Sequence, residues 1–168
     1  MRATNLLVER AAVAATELSL ARCVELYMAL PVVDHGVDLM AYQVDPFRVA
    51  KIQVKGSTKG MKVYRQYSES PMIVSYVLDP LGAADVILLS GEEAWNLPFE
   101  YIARGGNAGD HRADNTNYNW ARRPRLLESI LESYRATPNA GLSSSSRRRH
   151  RPTSAPKCRV RKPAYECI

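Results

Sequence analysis

Asp38, Gln53 and Lys55 lie in one stretch, Gly36 to Ser57, and combine a carboxylate, an amide and an ammonium. Oxygens from Asp38 and Gln53 suit a hard divalent cation such as magnesium or manganese. The amide oxygen is the weaker ligand, because it carries no charge. Lys55, two residues beyond Gln53, would sit beside such a cation rather than on it. There it would stabilise negative charge developing on a phosphate or orient an attacking water. The chemistry this set suits is hydrolysis of a phosphodiester. The plain alternative is a solvated hairpin face on which the three groups simply meet water.

The elements that must position these residues are two short β-prone runs, Val37–Tyr42 and Val49–Val54, joined by a loop carrying Asp45 and Pro46. Their closeness and the proline predict a hairpin. Alternation along a strand puts Lys51, Gln53 and Lys55 on one face and Ile52 and Val54 on the other. In the first run Asp38, Met40 and Tyr42 share a face, against Val37, Leu39 and Ala41. Ahead of the hairpin, Leu6 to Met28 reads as helix, rich in Ala, Leu and Glu with no Gly or Pro before Pro31. Val13, Glu17, Leu20, Ala21 and Val24 form a stripe at helical spacing. Glu17 within it needs a partner, which a metal, its bound water or Lys55 would supply; at the stripe's edge it would instead reach water.

Beyond the hairpin, Met61–Tyr67, Met72–Leu78 and Val86–Leu89 read as further strands. Ser90 with Glu93 forms a capping box for a short helix through Trp95, with Pro98 just beyond it. Arg104 to Asn119 reads as a long loop. A last helix follows Pro124, with Leu126, Leu127, Ile130, Leu131 and Tyr134 on one face. The order predicts an α/β core with a mixed β-sheet flanked by helices. Trp95, Tyr118 and Trp120 read as packing residues, and Asp34 and His35 as loop residues.

Gly-Val-Asp-Leu at 36–39 followed by Ile-Gln-Val-Lys at 52–55 resembles the PD-(D/E)XK nuclease superfamily in its glutamine variant. The likeness is to the small endonucleases grouped with a group I intron-encoded homing enzyme, and spans about Glu17 to Tyr134. It implies a restriction-endonuclease-like core. It also implies a metal held by Asp38 and Gln53, with the backbone carbonyl of Val54 as a further oxygen, and Lys55 and Glu17 serving catalysis. Two departures stand out: Val37 occupies the place of the proline in the family's name, and Gln53 that of its second acid.

The net charge of +6 is uneven. Residues 138–168 carry eight Lys or Arg against one acid, a net +7, leaving −1 on residues 1–137. This serine-, arginine- and proline-rich tail cannot bury a core and is predicted to be disordered, apart from a single domain over 1–137. Its arginines would add unspecific phosphate affinity, or play no part. Within the near-neutral body, Arg48, Lys51, Lys55, Lys59, Lys62 and Arg65 run without an intervening acid. Such a band suits a phosphate backbone, and equally a charged solvent face.

Three widely spaced cysteines argue against a disulfide framework or zinc site and for a reducing, cytoplasmic setting. His111 and His150 lack partners at zinc spacing. Asp110, Asp114 and Asn115 lack the spacing and final Glu of a calcium loop. No apolar run has the length of a membrane span, the N-terminal stretch is too polar for a signal peptide, and phosphate-loop and serine-elbow motifs are absent. The expectation is therefore a magnesium- or manganese-dependent DNA endonuclease acting as a homodimer or higher symmetric assembly. The alternative is a nucleic-acid-binding module on a nuclease fold with weak or absent catalysis.

Overall fold

Buried residues on both sides of the central strands call for a sheet covered on each face, and the chain builds it from strands far apart in sequence. The computed structural model describes residues 2–22, 26–32, 35–107, 109 and 114–136. The expected disordered tail from 138, and the readings placed on Val24, Asp34, Asp110 and His111, lie outside the described residues.

The chain runs α1 (Arg2–Ala21), β1 (Tyr27–Ala29), β2 (Leu39–Gln43), β3 (Arg48–Ser57), β4 (Met61–Tyr64), a 3-10 turn (Arg65–Tyr67), β5 (Met72–Leu78) and β6 (Asp85–Ser90). It continues through α2 (Gly91–Ala103), β7 (Asn117–Trp120), α3 (Arg125–Leu131) and a second 3-10 turn (Glu132–Tyr134). Five strands form one sheet in the order β1-β2-β3-β5-β6. Only the central β3–β5 pair is parallel, so the sheet is mixed. β4 and β7 pair antiparallel as a separate two-stranded ribbon.

Alternation sorts the apolar residues into two cores, one on each face of the sheet. α1 covers the face made by Leu39, Ala41, Ile52, Val54, Ile73 and Val77. Each Leu, Ile or Val so buried contributes about 1.5–3 kcal/mol. α1 lies close because β3 has a glycine beneath it: a Cβ on Gly56 would stand 3.0 Å from that of Ala12. The opposite face, with Val74, Tyr76, Ile87 and Leu89, is covered by α2, α3 and the inner side of the β4–β7 ribbon.

Five sequence expectations change. The first helix ends at Ala21 instead of Met28, because Tyr27–Ala29 pairs with β2 and Tyr27 stacks on Tyr42 at 5.5 Å. Its buried stripe is Ala12, Thr16 and Leu20, one residue round from the expected one, and Glu17 flanks it half-buried. Pro98 does not end α2. The capping box of Ser90 and Glu93 starts a thirteen-residue helix that passes through it. The hydrogen bond that proline forfeits is offset by burial of Leu97, Pro98 and Tyr101 on the core. Finally, the long loop stops before Asn117, where β7 begins, and the strand expected over Met61–Tyr67 turns into a 3-10 helix at Arg65. Among the described residues no helix is long and apolar enough to cross a membrane.

Candidate functional site

The β2–β3 hairpin forms as its sequence demands, over a Val44–Phe47 turn with a cis Asp45–Pro46 bond. Its last cross-strand pair is Leu39 with Ile52, and the amide of Asp38 donates to the Ile52 carbonyl at 3.0 Å. Beyond that point the strands part, and the edge of β3 loses its β2 partner. The Asp38 side chain fills the place: its Oδ2 accepts the Val54 N–H at 2.6 Å and also the Gln53 side-chain amide. In a strand the N–H and C=O of one residue leave by the same edge. The Val54 carbonyl therefore opens into the same gap between the strands.

Gln53 lies on the α2 side of the sheet, opposite Val74 in register, and is only 5% exposed. Its amide carbonyl faces Gly36, where a Cβ would stand 3.6 Å from Oε1. Gly36 has φ +75°, a backbone conformation that a side chain would strain. Lys55, on the same face and half-buried, pairs in register with Tyr76 and holds its ammonium 5.8 Å from the centre of the Tyr67 ring. That contact orients the charge without quenching it. Among the described residues no carboxylate forms an ion pair with Lys55.

Burial, reinforced by the neighbouring Tyr67 and Tyr64, pushes the Tyr76 phenol far up, so it keeps its proton. Its hydroxyl donates to the Lys62 carbonyl at 3.0 Å and ties the ribbon to the sheet beside Lys55. Tyr76 is thus a fastening and not a proton carrier.

The structure joins Asp38 to Gln53 and Val54 by hydrogen bonds, with Lys55 on the same face of the sheet as Gln53. Glu17 stands apart from them: α1 covers the opposite face of the sheet, and no side-chain hydrogen bond or ion pair joins Glu17 to the four. The basic band also divides. Lys51 and Lys55 share the Gln53 face, whereas Arg48 alternates onto the α1 face. There it borders a cavity of about 60 Å³ lined by Leu20, Ala41 and Ile73. Lys59 and Lys62 are exposed around β4, and Arg65 pairs with Glu69 at 3.2 Å. A groove of about 670 Å³ passes Lys51 but carries Glu69, Glu92 and Glu93, so it suits a phosphate chain poorly. Gly36 and Tyr67 also border the site. Gly36 could have been found as the glycine before the first run, but nothing local marks Tyr67.

Among the described residues no three His, Cys, Asp or Glu side chains converge on a metal position. The donors gathered here are different: one carboxylate, one amide oxygen and one backbone carbonyl. All are hard oxygens of the kind magnesium or manganese takes, with the Gln53 amide turning its N–H to Asp38 and its oxygen toward Gly36. The chain matches no protein-family model, no curated protein and no solved structure.

Proposed function

We propose that the chain is a metal-dependent endonuclease hydrolysing phosphodiester bonds of DNA, on a restriction-endonuclease-like core. The observation that carries this reading is the Asp38 carboxylate at the parting of β2 and β3, bonded to Gln53 and to the Val54 N–H. Asp38, Gln53 and the Val54 carbonyl would hold magnesium or manganese. An ion held by these residues would supply Lewis-acid polarisation of the phosphate and activation of water.

The remaining roles belong to the chain itself. The Val54 N–H and the Gln53 amide fix the Asp38 carboxylate, so little reorganisation is needed to present its free lone pairs. Lys55, steadied over Tyr67, stabilises charge growing on a non-bridging phosphate oxygen. Lys51, Lys59 and Lys62 neutralise flanking phosphates. One site per chain cuts one strand, so double-strand cleavage needs a symmetric pair of copies.

One observation favours a second reading, a DNA-binding module with little catalysis. Asp38 already has two neutral donors on one oxygen, as a purely structural carboxylate would. Incubating the purified protein with supercoiled plasmid in magnesium, manganese or EDTA separates the two. Nicked or linear product that needs the metal, and is lost in Asp38→Ala, supports the nuclease. A plasmid shifted in mobility but intact under all three conditions supports the module.

A further inference from the structure

The β4–β7 ribbon has two unlike faces. Met61, Val63, Tyr118 and Trp120 turn inward on the core. Register pairs Lys62 with Asn119 and Tyr64 with Asn117, so these four share the outer face, although the Tyr64 ring folds back against the core. Lys62, Asn117 and Asn119 are exposed and Tyr64 half-buried. No acid occurs in residues 46–68 or 115–127, the two segments from which the ribbon and its ends are built. The ribbon is also held rigidly. Arg123 donates from its backbone to the Lys59 carbonyl at 3.3 Å and from its guanidinium to the Gly60 carbonyl at 3.1 Å. Tyr76 holds the Lys62 carbonyl from below.

An unbroken series of contacts joins this face to the proposed site. The Lys62 ammonium lies 4.8 Å from the centre of the Tyr64 ring, Tyr64 meets Tyr67 edge-on at 5.5 Å, and Lys55 caps Tyr67. Three ring contacts thus link the ribbon's outer face to Lys55.

We propose that the outer face of the β4–β7 ribbon reads base sequence in duplex DNA, with Asn117 and Asn119 on base edges and Lys62 on a phosphate. The inference rests on the endonuclease reading and adds its specificity surface. Dimensions agree with it. A two-stranded ribbon enters the roughly 12 Å major groove of B-DNA, and Asn is suited to bidentate recognition of adenine there. Residues i and i+2 of a strand stand roughly 6.8 Å apart, two base steps of about 3.4 Å. Asn117 and Asn119 thus address positions two base pairs apart. The major groove of an A-form RNA duplex is too narrow for side chains to read, so RNA is disfavoured.

The test is selection from a randomised duplex DNA library, in EDTA to prevent cutting, by the full chain and by its Asn117→Ala/Asn119→Ala variant. Circular dichroism checks that the variant folds, as two exposed amides should allow. The wild type is expected to enrich adenines two base pairs apart. The variant is expected to lose that preference, about tenfold or more per contact, while its affinity for unselected DNA and its salt slope stay the same. Lys62→Ala is expected to weaken binding to all sequences alike and reduce the log–log salt slope by about one. The same motif enriched by wild type and variant would overturn the ribbon assignment and leave the nuclease reading standing, as would wild-type binding without preference. Absence of any DNA binding by the wild type would overturn both.

Discussion

Thr16 and Ser75 meet on the α1 face of the sheet; Gln53 and Asp38 meet on the other. Among the described residues the buried polar side chains are Thr16, Gln53 and Ser75, so these two pairs account for all of them. They are near neighbours, since Ser75 stands opposite Val54 and Val74 opposite Gln53. Thr16 donates to the Ala12 carbonyl at 3.0 Å, which leaves its oxygen to accept from Ser75 at 2.8 Å. Both hydroxyl protons are then used, no charge is present, and α1 seals the pair from water. Asp38 is charged and half-buried. Its Oδ2 takes two N–H groups, yet a carboxylate offers about four acceptor positions. The first pair is closed and explains itself as packing. The second keeps oxygen lone pairs unused at the edge of β3. Under the proposed reading, unused acceptor capacity rather than burial sets the second pair apart.

The largest effects should separate the pairs by activity. Asp38→Ala and Lys55→Ala should each reduce plasmid cleavage by at least about 10²-fold. Calorimetric titration should show magnesium affinity lost in the first and little changed in the second, because an ammonium is not a ligand. Cleavage at wild-type rate in both variants would return Asp38 to the class of Thr16.

Gln53→Glu sharpens the contrast in the opposite direction. It replaces the N–H donor to Asp38 by a second carboxylate, so the metal-free protein should lose about 1–3 kcal/mol. Magnesium should then bind more tightly than in wild type and recover the thermal midpoint. A deficit that saturating metal leaves untouched would make the pair structural.

On the sealed face, Thr16→Val should cost about 1 kcal/mol by leaving the Ser75 hydroxyl unpaired. Adding Ser75→Ala should cost less than the sum of the single changes, as a double-mutant cycle would read. Magnesium affinity should stay at its wild-type value throughout, and a change would couple the two faces.

Glu17→Gln should do least. Stability is expected within about 0.5 kcal/mol and metal affinity unchanged, since α1 lies across the sheet from Gln53. A clear loss of affinity by calorimetry would bring Glu17 round the strand edge into the site.

The sequence by itself determined what depends on neighbours a few residues apart. The β2–β3 hairpin, the common face of Lys51, Gln53 and Lys55, the Ser90–Glu93 capping box and the apolar face of α3 follow from period-two and period-3.6 patterns and from local hydrogen bonds. Tertiary structure decided what depends on distant partners. Tyr27–Ala29 became a strand because β2 was there to pair with it, against a local preference for helix. Pro98 stayed within α2 because the core accepted its ring. Met61–Tyr64 found Asn117–Trp120, and no local pattern encodes so remote a register. The same holds at the site. Alternation placed Gln53 and Lys55 side by side, but the parting of β2 from β3 turned the Asp38 carboxylate onto Val54, and the 3-10 turn carried Tyr67 beneath Lys55. Pairing and packing energies accrue only when chain segments meet, so the tertiary fold alone could settle these contacts.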